Sequence, residues 1–255
     1  MQRFSFLSQN LSLSYLDSGG EGEILIALHA HMMEAVTFNP LATILQPHWR
    51  LISLDQRGHG YSDHASSYTR DDYINDLCLL YKHLKIEKAV ILGNSLGGVN
   101  AFQFAARYPK FVRGLIIEDI AAEIEDDMSF CLAWQGIFSS KESLENRIGS
   151  RFLPYFQDSI RQVECGWRLA FDPSEMMASN RVLCGNHWDD WLASDCPALL
   201  LRGNESRITT REQMERMTAQ RNNTEYLELN AGHVIHQDNF KNFATASIEF
   251  LQKLN

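Results

Sequence analysis

Apolar and polar positions alternate from the first residues of the chain. Residues 3–8 and 11–17 alternate on either side of Gln9-Asn10 and predict two antiparallel strands joined by a tight turn. Six further short runs follow: 23–28 (EILIAL), 49–54 (WRLISL), 88–93 (KAVILG), 114–118 (GLIIE), 197–202 (PALLLR) and 224–229 (TEYLEL). Several are apolar almost throughout, as strands covered on both faces must be. Helical spacing predicts helices over 71–84, 95–108, 210–220 and 239–254, with Arg70 or Asp71 opening the first and Pro109 ending the second. Strands alternating with helices predict an α/β fold: an eight-stranded, mostly parallel sheet with helices on both faces.

One interval breaks this rhythm. Residues 121–195 separate two strands that a normal crossover would join in a few turns. The interval holds Trp134, Trp167, Trp188 and Trp191, with Phe130, Phe138, Phe152, Phe156 and Phe171, at irregular helical spacing. It reads as a helical cap over the C-terminal edge of the sheet, where ligand sites of open α/β sheets lie, with a cavity beneath the four tryptophans. Residues 1–120 and 196–255 then form the core and 121–195 an insertion.

Composition narrows the class. The chain carries 23 basic and 32 acidic residues, a net charge of −9. That balance gives no general attraction for phosphate backbones or anionic lipid, so neither nucleic acid nor membrane is an expected partner. No apolar run approaches the roughly 18–20 residues of a membrane span, and residues 1–10 lack a signal-peptide core. Cys78, Cys131, Cys165, Cys184 and Cys196 are scattered and odd in number, which suits reduced thiols in the cytoplasm rather than disulfides or a metal site. No cofactor or metal is expected; the partner is a small-molecule substrate, and the sequence sets no oligomeric state.

The chemistry begins at Gly93-Asn94-Ser95-Leu96-Gly97-Gly98, which matches G-x-S-x-G between an apolar strand and an apolar helix. Such a turn strains the serine backbone, and glycine is needed on either side because a Cβ would strike the neighbouring strand or helix. The hydroxyl is then presented at a helix N-terminus, whose N–H groups favour developing negative charge. A serine nucleophile needs an adjacent base. His233, in Ala231-Gly232-His233, lies between the last strand and the last helix, on a loop that returns to the serine's edge of the sheet. His236 is its rival, placed behind that loop. His29, His31 and His59 also lie near strand ends.

With these residues in view, the chain resembles the α/β-hydrolase superfamily nearly end to end. The likeness is carried by Leu28-His29-Ala30-His31, by Asp55-Gln56-Arg57-Gly58-His59-Gly60-Tyr61-Ser62, by Gly93–Gly98 and by Gly232-His233, in that order. It implies that the backbone N–H groups of His31 and Leu96 form an oxyanion hole, that His29 ties loops together, and that Arg57 and His59 fix turns. The family's usual His-Gly is here His29-Ala30, which restricts the backbone. In the commonest layout the acid follows the strand at 197–202, but Gly203-Asn204-Glu205-Ser206-Arg207 puts Ser206 or Arg207 at that position. Some members place the acid after the preceding strand, which here ends Glu118-Asp119. Asp119 is therefore favoured, with Glu205 as runner-up; Asp238 reads as a cap of the last helix.

The resemblance implies a serine hydrolase of esterase type, acting through an acyl-enzyme with Ser95, His233 and Asp119. Two alternatives stand beside it. One is a C–C bond hydrolase or lyase on the same site; the other is a ligand-binding homologue weakened by loss of the usual acid.

Overall fold

The computed structural model describes residues 1–254. The first half of the chain forms β1 (Gln2–Ser8), β2 (Leu11–Asp17), β3 (Glu23–Leu28), α1 (Asn39–Leu45), β4 (Trp49–Leu54), α2 (Arg70–Leu84), β5 (Ala89–Asn94), α3 (Leu96–Arg107) and β6 (Val112–Glu118). Segment 121–195 adds β7 (Glu123–Ile124), α4 (Lys141–Ile148), α5 (Leu153–Phe156), β8 (Ile160–Val163), β9 (Gly166–Leu169), α6 (Pro173–Leu183), β10 (Gly185–Asn186) and α7 (Trp188–Leu192). The chain continues through β11 (Ala198–Gly203), α8 (Arg211–Gln220), β12 (Thr224–Leu229), α9 (Ile235–Asp238) and α10 (Phe240–Lys253).

Eight of these strands pair in the order β1-β2-β4-β3-β5-β6-β11-β12. The hairpin β1–β2 joins the edge antiparallel, and all pairs from β4 to β12 are parallel. Alternation along each strand sends side chains to opposite faces. In β3, Ile26 and Leu28 pack with Leu77 of α2 and Phe102 of α3, while Leu25 and Ala27 pack with Leu41 of α1 and Phe243 of α10. Both faces are dry, which is why these strands read as continuous apolar runs.

Helix α2 opens at Arg70 as expected, and its cap is Thr69, in a reciprocal box with Asp72. Helix α1 is additional to the sequence reading. Phe38, Leu41, Ala42 and Leu45 recur at helical spacing and are buried, and Pro40 sits in the first turn, where a missing N–H costs nothing.

The strand order places the site. From β3 the chain moves outward to β4, then returns across β3 to β5. Loops after β3 and β5 therefore diverge, leaving a crevice at their C-terminal ends. Segment 121–195 lies in the chain between β6 and β11 and is not wholly helical: two short antiparallel pairs, β8–β9 and β7–β10, interleave with its helices. Its apolar residues, including Met128, Trp134, Phe156 and Phe171, cluster with Met32, Met33 and Val234 of the loops at the sheet edge. Burying each such large side chain contributes about 1.5–3 kcal/mol, so the segment is anchored on the crevice. Among the described residues no helix is long and apolar enough to cross a membrane.

Candidate active site

Ser95 occupies the turn between β5 and α3 with φ 53° and ψ −115°. A non-glycine residue there is strained by about 1–3 kcal/mol, and the surroundings hold it. Its N–H donates to the Glu118 carbonyl at 3.0 Å, and its own carbonyl accepts from Gly98 and Val99 N–H. The flanking glycines are sterically required. A Cβ on Gly93 would lie 2.2 Å from the Gly97 carbonyl oxygen, and one on Gly97 would lie 2.1 Å from that of Leu28.

The loop after β12 brings His233 to the same place. A Cβ on Gly203, at the end of β11, would lie 1.9 Å from the Gly232 carbonyl oxygen, so only glycine lets this loop close onto the sheet. Asn94 Nδ2 donates to the carbonyls of His233 and Glu118, both at 3.2 Å. His233 Nδ1 donates to Asp119 Oδ2 at 2.7 Å. Asp119 is fully buried, directly follows β6 and has φ 50°. Its carboxylate also accepts from Gly203 N–H, Thr209 Oγ1 and Ser206 Oγ. Burial alone would push the His233 pKa down; the bond to Asp119 and the charges of Asp119, Glu118 and Asp126 outweigh it and raise the pKa above the ordinary value.

Ser95 and His233 line one cavity of about 410 Å³. Its walls come from the loop after β3 (His31, Met32), from segment 121–195 (Met128, Phe130, Phe152, Tyr155) and from the loop after β11 (Glu205 to Ile208). It matches the α/β hydrolase fold family over residues 25–157, more than half of the 255-residue chain. The chain belongs to this family. It is 27% identical over 205 residues to the 2-(acetamidomethylene)succinate hydrolase of Mesorhizobium japonicum, covering 75% of this chain and 74% of the relative. In three dimensions it resembles an E-2-(acetamidomethylene)succinate hydrolase with TM-score 0.88 at 22% identity, covering 98% of this chain and 100% of the other. It resembles a marine microorganism esterase with TM-score 0.83 at 25% identity, covering 93% and 98%.

Other residues of this α/β-hydrolase fall around that centre. His236 packs behind the loop, its Nδ1 donating to the Glu118 carboxylate at 2.9 Å and its Nε2 facing Thr37 Oγ1 at 2.6 Å. Glu205 is exposed in the cavity wall, and the carboxylate that meets His233 is Asp119. Asp238 is not a cap of α10, which has no side-chain cap. It accepts from Gly232 N–H and from the Tyr155 hydroxyl, each at 2.8 Å.

His29 donates from Nδ1 to the Ala30 carbonyl and accepts from Gln56 N–H at Nε2, tying two loops. Arg57 is spread over Asp76 and the carbonyls of Ser67 and Asp72, and His59 Nδ1 donates to the Arg57 carbonyl. The His31 ring lines the cavity but its Nε2 is engaged by Ser179 Oγ at 2.8 Å. Burial holds the pKa of His31 well below the ordinary value, helped by the charges of His59 and Arg70. Ala30 causes no backbone strain, because the positive φ in this loop falls at Met32 (φ 67°).

The tryptophans do not line the cavity. Trp191 is fully buried against Phe102, and Trp188 stacks beneath Arg216. The aromatic wall is instead Phe130, Phe152, Tyr155 and Phe156. Among the described residues no cluster of His, Cys, Asp or Glu could hold a metal ion. The sequence reading missed Asn94, Ser206 and Thr209. Ser206 carried a signal: it stands where the acid is usual, and here its hydroxyl hydrogen-bonds the Asp119 carboxylate.

Proposed function

We propose that this protein is a serine hydrolase that cleaves small carboxylic esters or related acyl compounds through an acyl-enzyme. The observation that carries the reading is the 2.7 Å bond from His233 to buried Asp119 at a cavity shared with a strained Ser95. Asp119 fixes the Nδ1–H tautomer of His233, leaving Nε2 as the base that takes the Ser95 proton. The Ser95 oxygen attacks the acyl carbonyl. The N–H groups of His31 and Leu96 hold the resulting oxyanion; Leu96 begins α3, so its N–H has no partner within the helix. His233 protonates the leaving group and then activates the water that frees the acid.

In this reading residues 121–195 act as a cap over a core built from 1–120 and 196–255. The walls contributed by Met128, Phe130 and Phe152 support that division. A binding-only role rested on the missing acid after β11, and the Asp119 contact removes its motive. Ser95→Ala, assayed on p-nitrophenyl butyrate, is expected to lose at least about 10³-fold in kcat, and wild type but not the variant to be labelled by a fluorophosphonate probe. Equal turnover by the two proteins would overturn the assignment.

A further inference from the structure

The cavity wall holds two arginines that the mechanism does not use. Arg207 stands in the loop after β11, at a register where α/β-hydrolases of one layout carry the acid. Arg151 comes from segment 121–195. Both line the cavity with Ser95 and His233. Neither has an ion pair or a hydrogen bond among the described residues. Arg151 stacks on Phe152, with its guanidinium carbon 5.2 Å from the ring centroid, and its charge reaches the Tyr155 hydroxyl.

This differs from other arginines near the site. Arg57 is committed to Asp76, Arg161 to Glu34 and Arg202 to Glu228. An unpaired guanidinium at a cavity wall keeps its planar fork of donors available for a ligand, and the geometry of that fork matches a carboxylate.

The loop that carries Arg207 is preset. Ser206 Oγ donates to Asp119 and accepts from Ile208 N–H at 3.1 Å, so Arg207 is spanned by a turn anchored on Asp119 through Ser206. Two carboxylates share the wall, Asp126 and Glu205, yet neither pairs with an arginine, so the cations are not neutralised internally. Apart from His31, Ser95, Tyr155, Ser206 and His233, the rest of the wall is largely apolar, with Met32, Met128, Phe130 and Val234. An anion entering such a cavity needs these cations to offset its desolvation.

From this we infer that Arg207 and Arg151 bind a carboxylate borne by the acyl part of the substrate, so that the preferred substrates are half-esters or comparable mono-acyl derivatives of short dicarboxylic acids. The inference rests on the serine-hydrolase reading for its scissile bond but not for its anion site. A matched pair tests it: p-nitrophenyl hemisuccinate and p-nitrophenyl butyrate differ by a carboxylate in place of a methyl group. Wild type is expected to favour the hemisuccinate at least about tenfold in kcat/KM, chiefly through KM.

Arg207→Ala and Arg151→Ala are each expected to cut that ratio about fivefold or more, with Arg207→Lys between them and wild type. Arg181→Ala, at a cation of α6 that is exposed like Arg151 and Arg207 but does not line the cavity, is expected to keep the wild-type ratio, which separates local binding from general charge steering. Binding is read separately as the rise in melting temperature that succinate gives Ser95→Ala, abolished when both cavity arginines are also replaced. Butyrate turnover without hemisuccinate preference overturns the anion site and leaves the serine reading intact. Succinate stabilisation that depends on both arginines, with neither ester turned over, supports the anion site and sinks the serine reading. A preference that survives both replacements, or no stabilisation by succinate, overturns the inference.

Discussion

Asp119 accepts from His233, Gly203, Ser206 and Thr209, which fills the acceptor capacity of a carboxylate. Gly203 ends β11, Ser206 and Thr209 lie in the loop after it, and His233 lies in the loop after β12, so the carboxylate is oriented before any substrate arrives. With His233 raised above its ordinary pKa by that carboxylate against the opposing effect of burial, kcat/KM is expected to rise with pH through a value above 6.5 and then level off as the imidazole becomes neutral. Asp119→Asn removes the charge that raises it. The acidic limb is expected to move to lower pH while the plateau falls by about 10⁴-fold, as read from pH–rate profiles of the two proteins. An unchanged limb would show that another group titrates. At this scale Ser95 and His233 were legible because each lies in a short local pattern. Asp119 was legible only through resemblance. Its supporting donors Ser206 and Thr209 were not, since they stand 87 and 90 residues away and meet it only through strand register.

The elements around the site are fitted at backbone distances. Gly97 lets α3 approach the end of β3 so closely that any Cβ would enter the space of the Leu28 carbonyl. Neither partner is a flexible side-chain end, so the clash cannot relax cheaply. Gly97→Ala is expected to destabilise the protein by about 3 kcal/mol, measured by urea unfolding, and to depress activity in the remaining folded fraction by shifting Leu96 N–H. A variant with wild-type stability would show that the turn has slack. Strands were readable from sequence because continuous apolar runs of six or seven residues have few other uses. Helix α1 was overlooked because it spans under two turns and begins beside Pro40, although its apolar spacing was present. Segment 121–195 was legible as an interruption but not in detail. Elements such as α5 and β8, four residues each, are shorter than one reliable period of any hydrophobic pattern.

Across the whole molecule, burial of ionisable groups sets the response to acid. His29 is held down to about 4 by burial, and burial likewise holds His31 and His59 well below the usual value. Depressed folded-state values mean that the unfolded chain takes up these three protons first, so stability is lost as pH falls below 6.5. Glu34 opposes this. Burial raises it to about 7 despite Arg161, so between pH 7 and 4.5 the folded state binds one proton more than the unfolded. His233, raised above its ordinary value, opposes the loss only near and above 6.5 and has little effect well below it. Each net proton changes stability by up to about 1.4 kcal/mol per pH unit, and three outweigh one. The free energy of unfolding is expected to be roughly 3 kcal/mol lower at pH 5 than at pH 7, measured by urea titration; equal values would show that these histidines already titrate when folded.

Ser95 lies within a single β5–α3–β6 unit and Asp119 directly follows it, whereas His233 follows β12, the far edge of the sheet. During synthesis from the N-terminus, hydroxyl and carboxylate can therefore take their places while the imidazole is still unmade. On the proposed mechanism the serine gains its base only when the last strand docks, so the nascent chain would stay silent toward acyl compounds until then.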